Sequence, residues 1–347
     1  MEQSNIKRCT SFFSFALEWN SGTYSLEQLM AKVHEWSLGP GIELVGFQSL
    51  RGYPNLPDAE VNNVKRIIEK YSLEPVCLDA DLDVAIRRGR TFNDDESVAY
   101  LVPQVELAKK LGFPLLHLSA SVNAAVLRKL LPVAEKAGVR LGVEIQGLLH
   151  VRHPAVLALR ELFHKLNSPF LGFVADFSTS MRNIPDSLLN NLLEAGVTDE
   201  LIALTKEIWK KDLPTPAKFG ELQERASALG ATPLQIEALN TAIIMNGRQS
   251  VEAWKEIVPQ TVHLHGKFYG IDESGEEPSI DNAGIIKVFY EGGYKGYLSS
   301  EFRRIACCDQ STGFEQVYRH QKLCSGILEK LEAHKQIKTS HKQINTV

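Results

Sequence analysis

The segment ESVAYLVPQVELAKKLGFPLLHLSAS, residues 96–121, contains a unit of one helix and one strand that recurs along the chain. Its first part, residues 96–112, has the apolar spacing of an amphipathic helix, and Gly112 is the type of residue that commonly ends a helix in the left-handed conformation. The apolar run at residues 113–121 is typical of a buried strand. The segment therefore predicts a helix that ends at a glycine and passes directly into a strand.

The same unit recurs along the chain. Glycine also separates a predicted helix from a predicted strand in LGPGIEL, KAGVRLG and EGGYKGY. The predicted strands span residues 11–19, 41–50, 73–83, 113–121, 139–147, 170–178, 261–269 and 296–302. Eight strands with helices between them predict an α/β fold, a (β/α)8 TIM barrel. A doubly wound sheet is the main alternative, but it would show a Gly-rich phosphate turn after an early strand, and the sequence has none there.

Residues 181–258, between the sixth and seventh predicted strands, are too long for one crossover connection. They contain four segments of helical pattern, DSLLNNLLEAG, TDELIALTKEIWKKD, FGELQERASALG and PLQIEALNTAIIMNG. We predict a helical insertion after strand 6 that lies beside the barrel mouth, because strand 6 ends there. Barrel and insertion are predicted to form one domain, residues 1–334, followed by a polar C-terminal tail at residues 335–347.

The composition indicates which partners and which cellular compartment to expect. The chain has 38 Lys+Arg against 42 Asp+Glu, a formal net charge of −4, so it lacks the basic excess of nucleic-acid binders. No apolar run is long enough for a membrane span, and the first ten residues lack the apolar region of a secretory signal. The five cysteines are scattered, and adjacent Cys307 and Cys308 lack partners at zinc-site spacing. We therefore expect reduced thiols in a cytoplasmic protein without nucleic-acid or membrane partners.

Polar residues occupy the last four predicted strands near their C-terminal ends, where the active site of a (β/α)8 barrel forms. They are Glu144, Asp176, His265 and Glu301. Taken singly, a carboxylate at a strand end is most often a helix cap or a solvated loop residue. In LGVEIQ, FVADFS and LSSEF, however, its neighbours should be buried, and an unpaired charge is costly there. Three carboxylates and one imidazole suit a hard or borderline divalent cation such as Mn²⁺, Mg²⁺ or Co²⁺.

The seventh predicted strand, TVHLHGKFYG, carries His263, His265 and Lys267 at alternate positions. Side chains at alternate positions of a strand share one face, so all three should point the same way. We predict that this face borders the site, with Lys267 stabilising a negatively charged substrate oxygen and His263 assisting catalysis. A hydrogen-bonded histidine of the barrel interior is the alternative for His263.

Other polar residues on strand ends and rim loops are candidate substrate contacts. Gln146 shares the strand face of Glu144, and Arg303 shares that of Glu301. The earlier predicted strands end with Gln48, Asp79, Asp81, His117 and Ser119. Tyr53, in LRGYPN, lies on a predicted rim loop, where its aromatic ring could stack on a bound ligand. For each strand-end residue, structural hydrogen bonding is an equal alternative.

The combination of Glu at strand 5, Asp at strand 6, His-x-Lys at strand 7 and GYKGYLSSE at strand 8 resembles the xylose isomerase-like barrels. That superfamily contains sugar isomerases and epimerases, inosose dehydratases and apurinic/apyrimidinic endonucleases. The resemblance covers about residues 11–330 outside the insertion. It implies metal ligands at Glu144, Asp176, His265 and Glu301. The family's strand-7 ligand is the His two residues before the Lys, which implies His265 rather than His263. Thr179 stands where many members carry a further His.

Several stretches are similar to the larger (alpha) subunit of bacterial C-glycoside deglycosidases. They are SFFSFALEW, GFQSLRGYPNLPD, RRGRTFNDDE and the segment from HGKFYG to LSSEF. Those enzymes act on sugars already oxidised to a 3-oxo form. The similarity implies a small-molecule carbohydrate substrate and either a small second subunit or a neighbouring protomer that covers the site.

We expect a divalent-metal-dependent enzyme, with Mn²⁺ as the first candidate, that removes a proton next to the carbonyl of a sugar or oxo-sugar. Glu144 and Glu301 are the candidate bases, because carboxylates opposed across a metal can reach either face of the substrate. Isomerisation, epimerisation and elimination share this step, so all three remain open. A scaffolding subunit of a carbohydrate-processing complex is an alternative, although an intact ligand set favours catalysis. An endonuclease-like hydrolase is disfavoured by the missing histidines and the acidic charge.

Overall fold

Eight parallel strands form a closed barrel in which the first strand pairs with the last. This computed structural model describes residues 6–304 and 312–344, with side chains described up to residue 337, so Cys307 and Cys308 lie outside the described residues. The strands are β1 Ile6–Ser11, β2 Gly41–Val45, β3 Glu74–Asp79, β4 Leu115–Leu118, β5 Arg140–Ile145, β6 Leu171–Asp176, β7 Thr261–Phe268 and β8 Gly296–Phe302. The predicted (β/α)8 barrel is confirmed.

One or more helices follow each of the eight strands. They are α1 Ala16–Asn20, α2 Leu26–Glu35, α3 Gly46–Ser49, α4 Asp58–Lys70, α5 Asp94–Leu111, α6 Ala124–Ala137, α7 Pro154–Leu166, α8 Asp186–Glu194, α9 Asp199–Lys210, α10 Thr215–Ala228, α11 Pro233–Met245, α12 Asn282–Glu291 and α13 Gly313–Ile344. Strands β2, β4 and β6 are buried along their whole length, as expected for strands packed on both faces. None of the helices in the described part of the chain combines the length and apolar character that crossing a bilayer requires.

The first strand lies earlier in the chain than predicted. Residues 11–19 were expected to form it, but β1 ends at Ser11 and a 3₁₀ turn at Phe12–Phe15 follows. Phe12 and Phe15 are both buried, and their rings meet edge-on with centroids 5.4 Å apart. Residues three apart share a face of a helical turn but not of a strand, and a short apolar run does not distinguish the two by itself.

Glycine ends three of the four helices for which the sequence predicts it. Gly112 after α5, Gly138 after α6 and Gly293 after α12 have φ values of 86°, 74° and 81°, in the left-handed region that glycine adopts without strain. The helix before β2 is different. There the left-handed residue is Ser37, with φ of 55°, and Gly39 lies in the connection to the strand.

The insertion contains helices α8 to α11 and lies at the C-terminal rim of the barrel, as predicted. Its backbone bonds to the loop after β5 through Leu148 N and Ile244 O at 3.1 Å, and to the loop after β7 through Arg182 N and Ser279 O at 2.8 Å. Gly147 allows this close approach, because a Cβ atom there would lie 2.3 Å from Ile244 O. The insertion therefore forms one wall beside the ends of β5, β6 and β7.

Helix α13 is attached to the barrel through His320. Its Nδ1 lies 2.9 Å from the Ser300 hydroxyl of β8, and its ring stacks on Phe268 of β7 with centroids 4.2 Å apart. The His320 side chain is completely buried, and burial lowers its pKa to about 3. The imidazole is therefore neutral in the folded protein at neutral pH.

This burial predicts a pH-dependent stability. In the unfolded chain His320 takes up a proton below about pH 6.5, whereas in the folded protein it resists protonation down to about pH 3. Stability is therefore fully present above pH 6.5 and is lost as the pH falls, by about 2 kcal/mol at pH 5 from this residue. His320→Phe keeps the ring stack and removes the titration. Denaturant unfolding at pH 7.5 and pH 5 gives the loss of unfolding free energy between the two pH values. This loss should be smaller in the variant than in the wild type by that amount. An equal loss in both proteins contradicts the assignment.

Candidate active site

The four predicted metal ligands converge inside the C-terminal end of the barrel. One ligand atom from each of Glu144, Asp176, His265 and Glu301 lies within 4.8 Å of the others, and all four side chains are buried. His265 Nδ1 is 2.9 Å from Glu144 Oε1 and 3.0 Å from Glu301 Oε2. Strands β5 to β8 thus each deliver one ligand-type side chain to the same point.

Lys267 lies directly beside this cluster. Its Nζ is 2.8 Å from Asp176 Oδ2 and 3.1 Å from Glu301 Oε1, and in the barrel register Lys267 is opposite Glu301. The other oxygen of Asp176 accepts a hydrogen bond from Ser178 N at 2.7 Å. Burial disfavours the ammonium, but the surrounding carboxylates outweigh it and hold the pKa of Lys267 well above its usual value. Lys267 is therefore a permanent positive charge next to the candidate ligands.

His263 points into the barrel interior, where it meets a carboxylate that the sequence analysis did not single out. His263 Nε2 is 2.7 Å from Glu43 Oε2, and His265 Nε2 is 3.1 Å from the same oxygen. Glu43 lies in β2 and is completely buried. His263 is thus grouped with Glu43 and Cys77, and it is not among the four residues of the predicted ligand cluster.

Asp79 and His117 form a second pair at the ends of the neighbouring strands β3 and β4. His117 Nδ1 is 2.8 Å from Asp79 Oδ1, and His117 Nε2 faces Glu144 Oε1 at 3.6 Å. Burial lowers the pKa of His117, but Asp79 and Glu144 outweigh burial and raise it to about 10. Burial raises the pKa of Asp79 to about 6. His117, predicted as a substrate contact, therefore lies at the edge of the ligand cluster with its Nε2 directed into it.

The donor set fits one divalent cation. Two ligand atoms that each lie about 2.2 Å from an ion are at most about 4.4 Å apart, so the observed separations of up to 4.8 Å need only small movements. Five carboxylates, four of them buried and Asp79 half-buried, surround this region, and within the described ranges Lys267 is the one lysine among them. They are Glu43, Asp79, Glu144, Asp176 and Glu301. The three acidic ligands would repel each other strongly without further positive charge, and a divalent cation supplies it.

The remaining predicted substrate contacts divide into two groups. Gln48 and Tyr53 make hydrogen bonds within the protein. Gln48 Nε2 donates to Phe12 O at 3.0 Å, and the Tyr53 hydroxyl donates to Gln104 Oε1. Gln146 and Arg303 stay at the rim. Both are half-buried, and Arg303 lines an open cavity of about 420 Å³ at the ends of β1 and β8.

Glu43 has the same local sequence pattern as the carboxylates that were predicted as ligands. In GIELVG, as in LGVEIQ, a single acidic residue lies between apolar residues of a predicted strand. The same argument about the cost of an unpaired buried charge applies to it. The Asp79–His117 pair has no such local signal, because the two residues meet only through the pairing of β3 with β4.

Two relatives with known names match most of the chain. The 3'-dehydrocarminate deglycosidase alpha subunit of a Microbacterium species is 35% identical over 332 residues, which cover 93% of this chain and 95% of that protein. A C-glycoside deglycosidase alpha subunit of Arthrobacter globiformis is 37% identical over 302 residues, covering 84% of this chain and 82% of that protein. A scan against protein-family models finds none that matches.

Solved structures with low identity share the fold. A xylose isomerase domain protein from Planctomyces limnophilus has a TM-score of 0.53 at 12% identity, covering 96% of this chain and all of that one. The IOLI protein, solved with a binding zinc atom, has a TM-score of 0.56 at 15% identity, covering 94% of this chain and 99% of that one. The fold is therefore that of the xylose isomerase-like TIM barrels. Given the identity and coverage of the named relatives, the chain belongs to the family of C-glycoside deglycosidase alpha subunits.

Proposed function

We propose that this protein is the catalytic subunit of a metal-dependent C-glycoside deglycosidase, which splits the carbon–carbon bond between a 3-oxo-sugar and its aglycone. The observation that carries the proposal is the buried convergence of Glu144, Asp176, His265 and Glu301. The named relatives support the choice of substrate, because one of them is named for a 3'-dehydro compound. An intact ligand cluster also supports a catalytic role over a purely scaffolding one.

The cation would be held by the same four residues, with Mn²⁺ as the first candidate. When bound, it supplies a Lewis acid that polarises the carbonyl of the substrate. The zinc atom of the related barrel supports a divalent cation in this fold. Three carboxylate oxygens and one imidazole nitrogen also accept Mg²⁺ or Co²⁺. The donor set therefore favours hard or borderline divalent cations as a class.

A 3-oxo-sugar is the chemically suitable substrate for elimination. Oxidation at C3 makes the proton on C2 acidic and places C1, which carries the aglycone, in the β position. When a base takes the C2 proton, the electron pair forms an enolate with the C3 oxygen. The carbonyl then re-forms, a double bond joins C1 and C2, and the electron pair of the C1–aglycone bond leaves with the aglycone carbon, which takes up a proton.

The chain's own residues can be assigned to these proton transfers. We assign removal of the C2 proton to Glu144, whose Oε1 lies at the centre of the cluster. We assign delivery of a proton to the departing aglycone carbon to His117, which Asp79 holds through Nδ1 while Nε2 faces the cluster. Lys267 is placed to donate a hydrogen bond to the oxygen on which negative charge develops. His263 contacts Glu43, so it has a supporting role in this scheme.

Epimerisation is the second candidate function. Glu144 Oε1 and Glu301 Oε2 both approach His265 Nδ1, at 2.9 Å and 3.0 Å, from different strands. If both flank the substrate, a proton removed by one could be returned by the other on the opposite face. Epimerisation and elimination then share the removal of the proton and differ in the fate of the enolate, which is reprotonated in the first case and expels the aglycone in the second.

The proposal is tested with three substrates and with metal present or removed. A 3-oxo-C-glycoside, the same C-glycoside without oxidation, and a ketohexose are incubated with protein loaded with Mn²⁺ or treated with chelator. We expect release of the free aglycone from the oxidised compound only, and only with metal, because the unoxidised sugar has no acidic C2 proton. Interconversion of the ketohexose without any aglycone release would instead favour epimerisation.

The active form is proposed to contain a second, smaller subunit over the barrel mouth. The support is that the named relatives are alpha subunits, and that the rim near β1 and β2 leaves Leu17 and Phe47 exposed by 44% and 59%. Light scattering on protein isolated from its native cells should show a mass above that of one chain. A mass equal to a multiple of one chain would show a homo-oligomer instead of a complex with a smaller subunit. A strict monomer with full activity would contradict both arrangements.

A further inference from the structure

Glu43 is a buried carboxylate that lies outside the proposed ligand cluster but contacts one of its members. It is located in β2, which does not pair with β7 in the sheet, and its side chain has no exposed surface. Oε2 lies 2.7 Å from His263 Nε2 and 3.1 Å from His265 Nε2. Oε1 has no hydrogen-bond partner within residues 6–304 and 312–344. A single oxygen of Glu43 therefore receives both imidazoles.

The two nitrogens of His265 face different surroundings. Nδ1 points to Glu144 and Glu301 in the ligand cluster, whereas Nε2 points to Glu43. A neutral imidazole has one N–H group and one nitrogen with a free electron pair, and only the latter can bind a metal. For Nδ1 to serve as the ligand, the proton must be on Nε2. Glu43 is the group that accepts this N–H.

Glu43 itself is held in place by its other partner. His263 Nε2 is the closer of the two imidazole nitrogens, and the His263 and His265 rings pack edge-on with centroids 5.4 Å apart. Cys9 and Cys77 also lie close to Glu43, and burial raises the pKa of both thiols well above the usual value, so they stay neutral. The two imidazole N–H groups are thus the strong donors to this carboxylate among the described residues.

We propose that Glu43 is a positioning residue that fixes His265 with Nδ1 directed at the metal, and that His263 in turn orients Glu43. This inference rests on the proposed metal-dependent function. A carboxylate that receives the second N–H of a ligating imidazole sets its tautomer and strengthens it as a ligand, and the loss of such a partner typically weakens metal binding about 10–100-fold. His263, which the sequence predicts as catalytic, acts here through Glu43.

The test compares Mn²⁺ affinity in Glu43→Gln with that of the wild-type protein. Glutamine keeps the size and one acceptor oxygen but removes the charge. Titration calorimetry should show binding weakened about 10–100-fold, and the visible absorption spectrum of the Co²⁺-loaded variant should differ from that of the wild type. The matched control is Glu277→Gln, another buried glutamate, which accepts backbone N–H groups of Tyr269, Gly270 and Ser279 and is not among the four residues of the cluster. It should bind Mn²⁺ as the wild type does, even if its stability is lower.

A second measurement needs no variant at the Glu43 position. In wild-type protein labelled with ¹⁵N-histidine and loaded with diamagnetic Mg²⁺, NMR should show His265 with its proton on Nε2, the signal being assigned by its loss in His265→Ala. A proton on Nδ1 would overturn the inference. Wild-type Mn²⁺ affinity in Glu43→Gln would also overturn it while leaving the proposed function intact. Absence of Mn²⁺ binding by the wild type would instead overturn the proposed function, and this inference with it.

Discussion

Replacement of Glu144 by glutamine is expected to lower the rate of aglycone release by about 10²–10⁴-fold, the range typical for loss of a positioned acid or base. The amide cannot take the C2 proton, and it removes one of three negative charges from the cluster that would hold the cation. The rate should be measured under saturating Mn²⁺, with the bound metal quantified in the same sample. A variant that binds Mn²⁺ but does not turn over separates the role of base from that of ligand.

Glu161→Gln is the matched control for Glu144→Gln. Glu161 lies on the exposed side of α7, where it pairs with Lys165. Exposed pairs of this kind contribute little to stability, so this variant should keep wild-type turnover and Mn²⁺ content. If Glu144→Gln retains activity within tenfold of the control with metal bound, Glu144 is not the base, and the proton transfer must be assigned to Glu301 or to the Asp79–His117 pair.

Replacement of His265 by alanine is expected to weaken Mn²⁺ binding by more than about 100-fold, beyond the effect of losing a supporting residue. His265 supplies the one nitrogen ligand of the proposed site, and it contacts Glu43, Glu144 and Glu301. In the wild type, Mn²⁺ at 100 times its dissociation constant should add about 2.7 kcal/mol to the free energy of unfolding. The variant should show no such gain at the same Mn²⁺ concentration, which a thermal melt with and without metal detects.

His263→Ala is the control for this variant, because it removes the other imidazole of the same strand face. His263 contacts Glu43 but is not among the four residues of the cluster, so its loss should leave Mn²⁺ binding within about tenfold of wild type, at or below the lower limit for a supporting residue. Unchanged metal binding in His265→Ala together with lost binding in His263→Ala would show that the two histidines have been assigned the wrong way round.

The strand–helix alternation was sufficient to predict the barrel and to place three of the four candidate ligands, whereas the choice of His265 over His263 rested on the family resemblance. A residue at the C-terminal end of a parallel strand has a fixed place in such a barrel, so Glu144, Asp176 and Glu301 could be placed on the rim from local sequence. The first strand was predicted too late in the chain, because the apolar residues Phe12 and Phe15 also fit a helical turn. Propensity does not separate a short apolar strand from such a turn, and here packing of the two rings decides it.

The contacts across the barrel were beyond prediction from local pattern. Glu43 and His263 are 220 residues apart in the chain and meet only because the sheet closes and both side chains point into the barrel interior. Periodicity identifies the face on which a side chain lies but not the partner on the far side of the barrel. Gln48 and Tyr53 are predicted substrate contacts, and the bonds of their polar groups to Phe12 O and Gln104 could likewise not be predicted from local sequence.

Anomalous X-ray scattering from crystals grown with Mn²⁺ would locate the cation that the four-residue cluster is proposed to bind. We expect one strong peak at the C-terminal end of the barrel, about 2.2 Å from one atom each of four side chains. They are Glu144, Asp176, His265 and Glu301. In the same map, His265 should contact the ion through Nδ1 and Glu43 through Nε2. A map without a peak among these four residues, or with the peak at another cluster such as Asp79 and His117, would contradict the account.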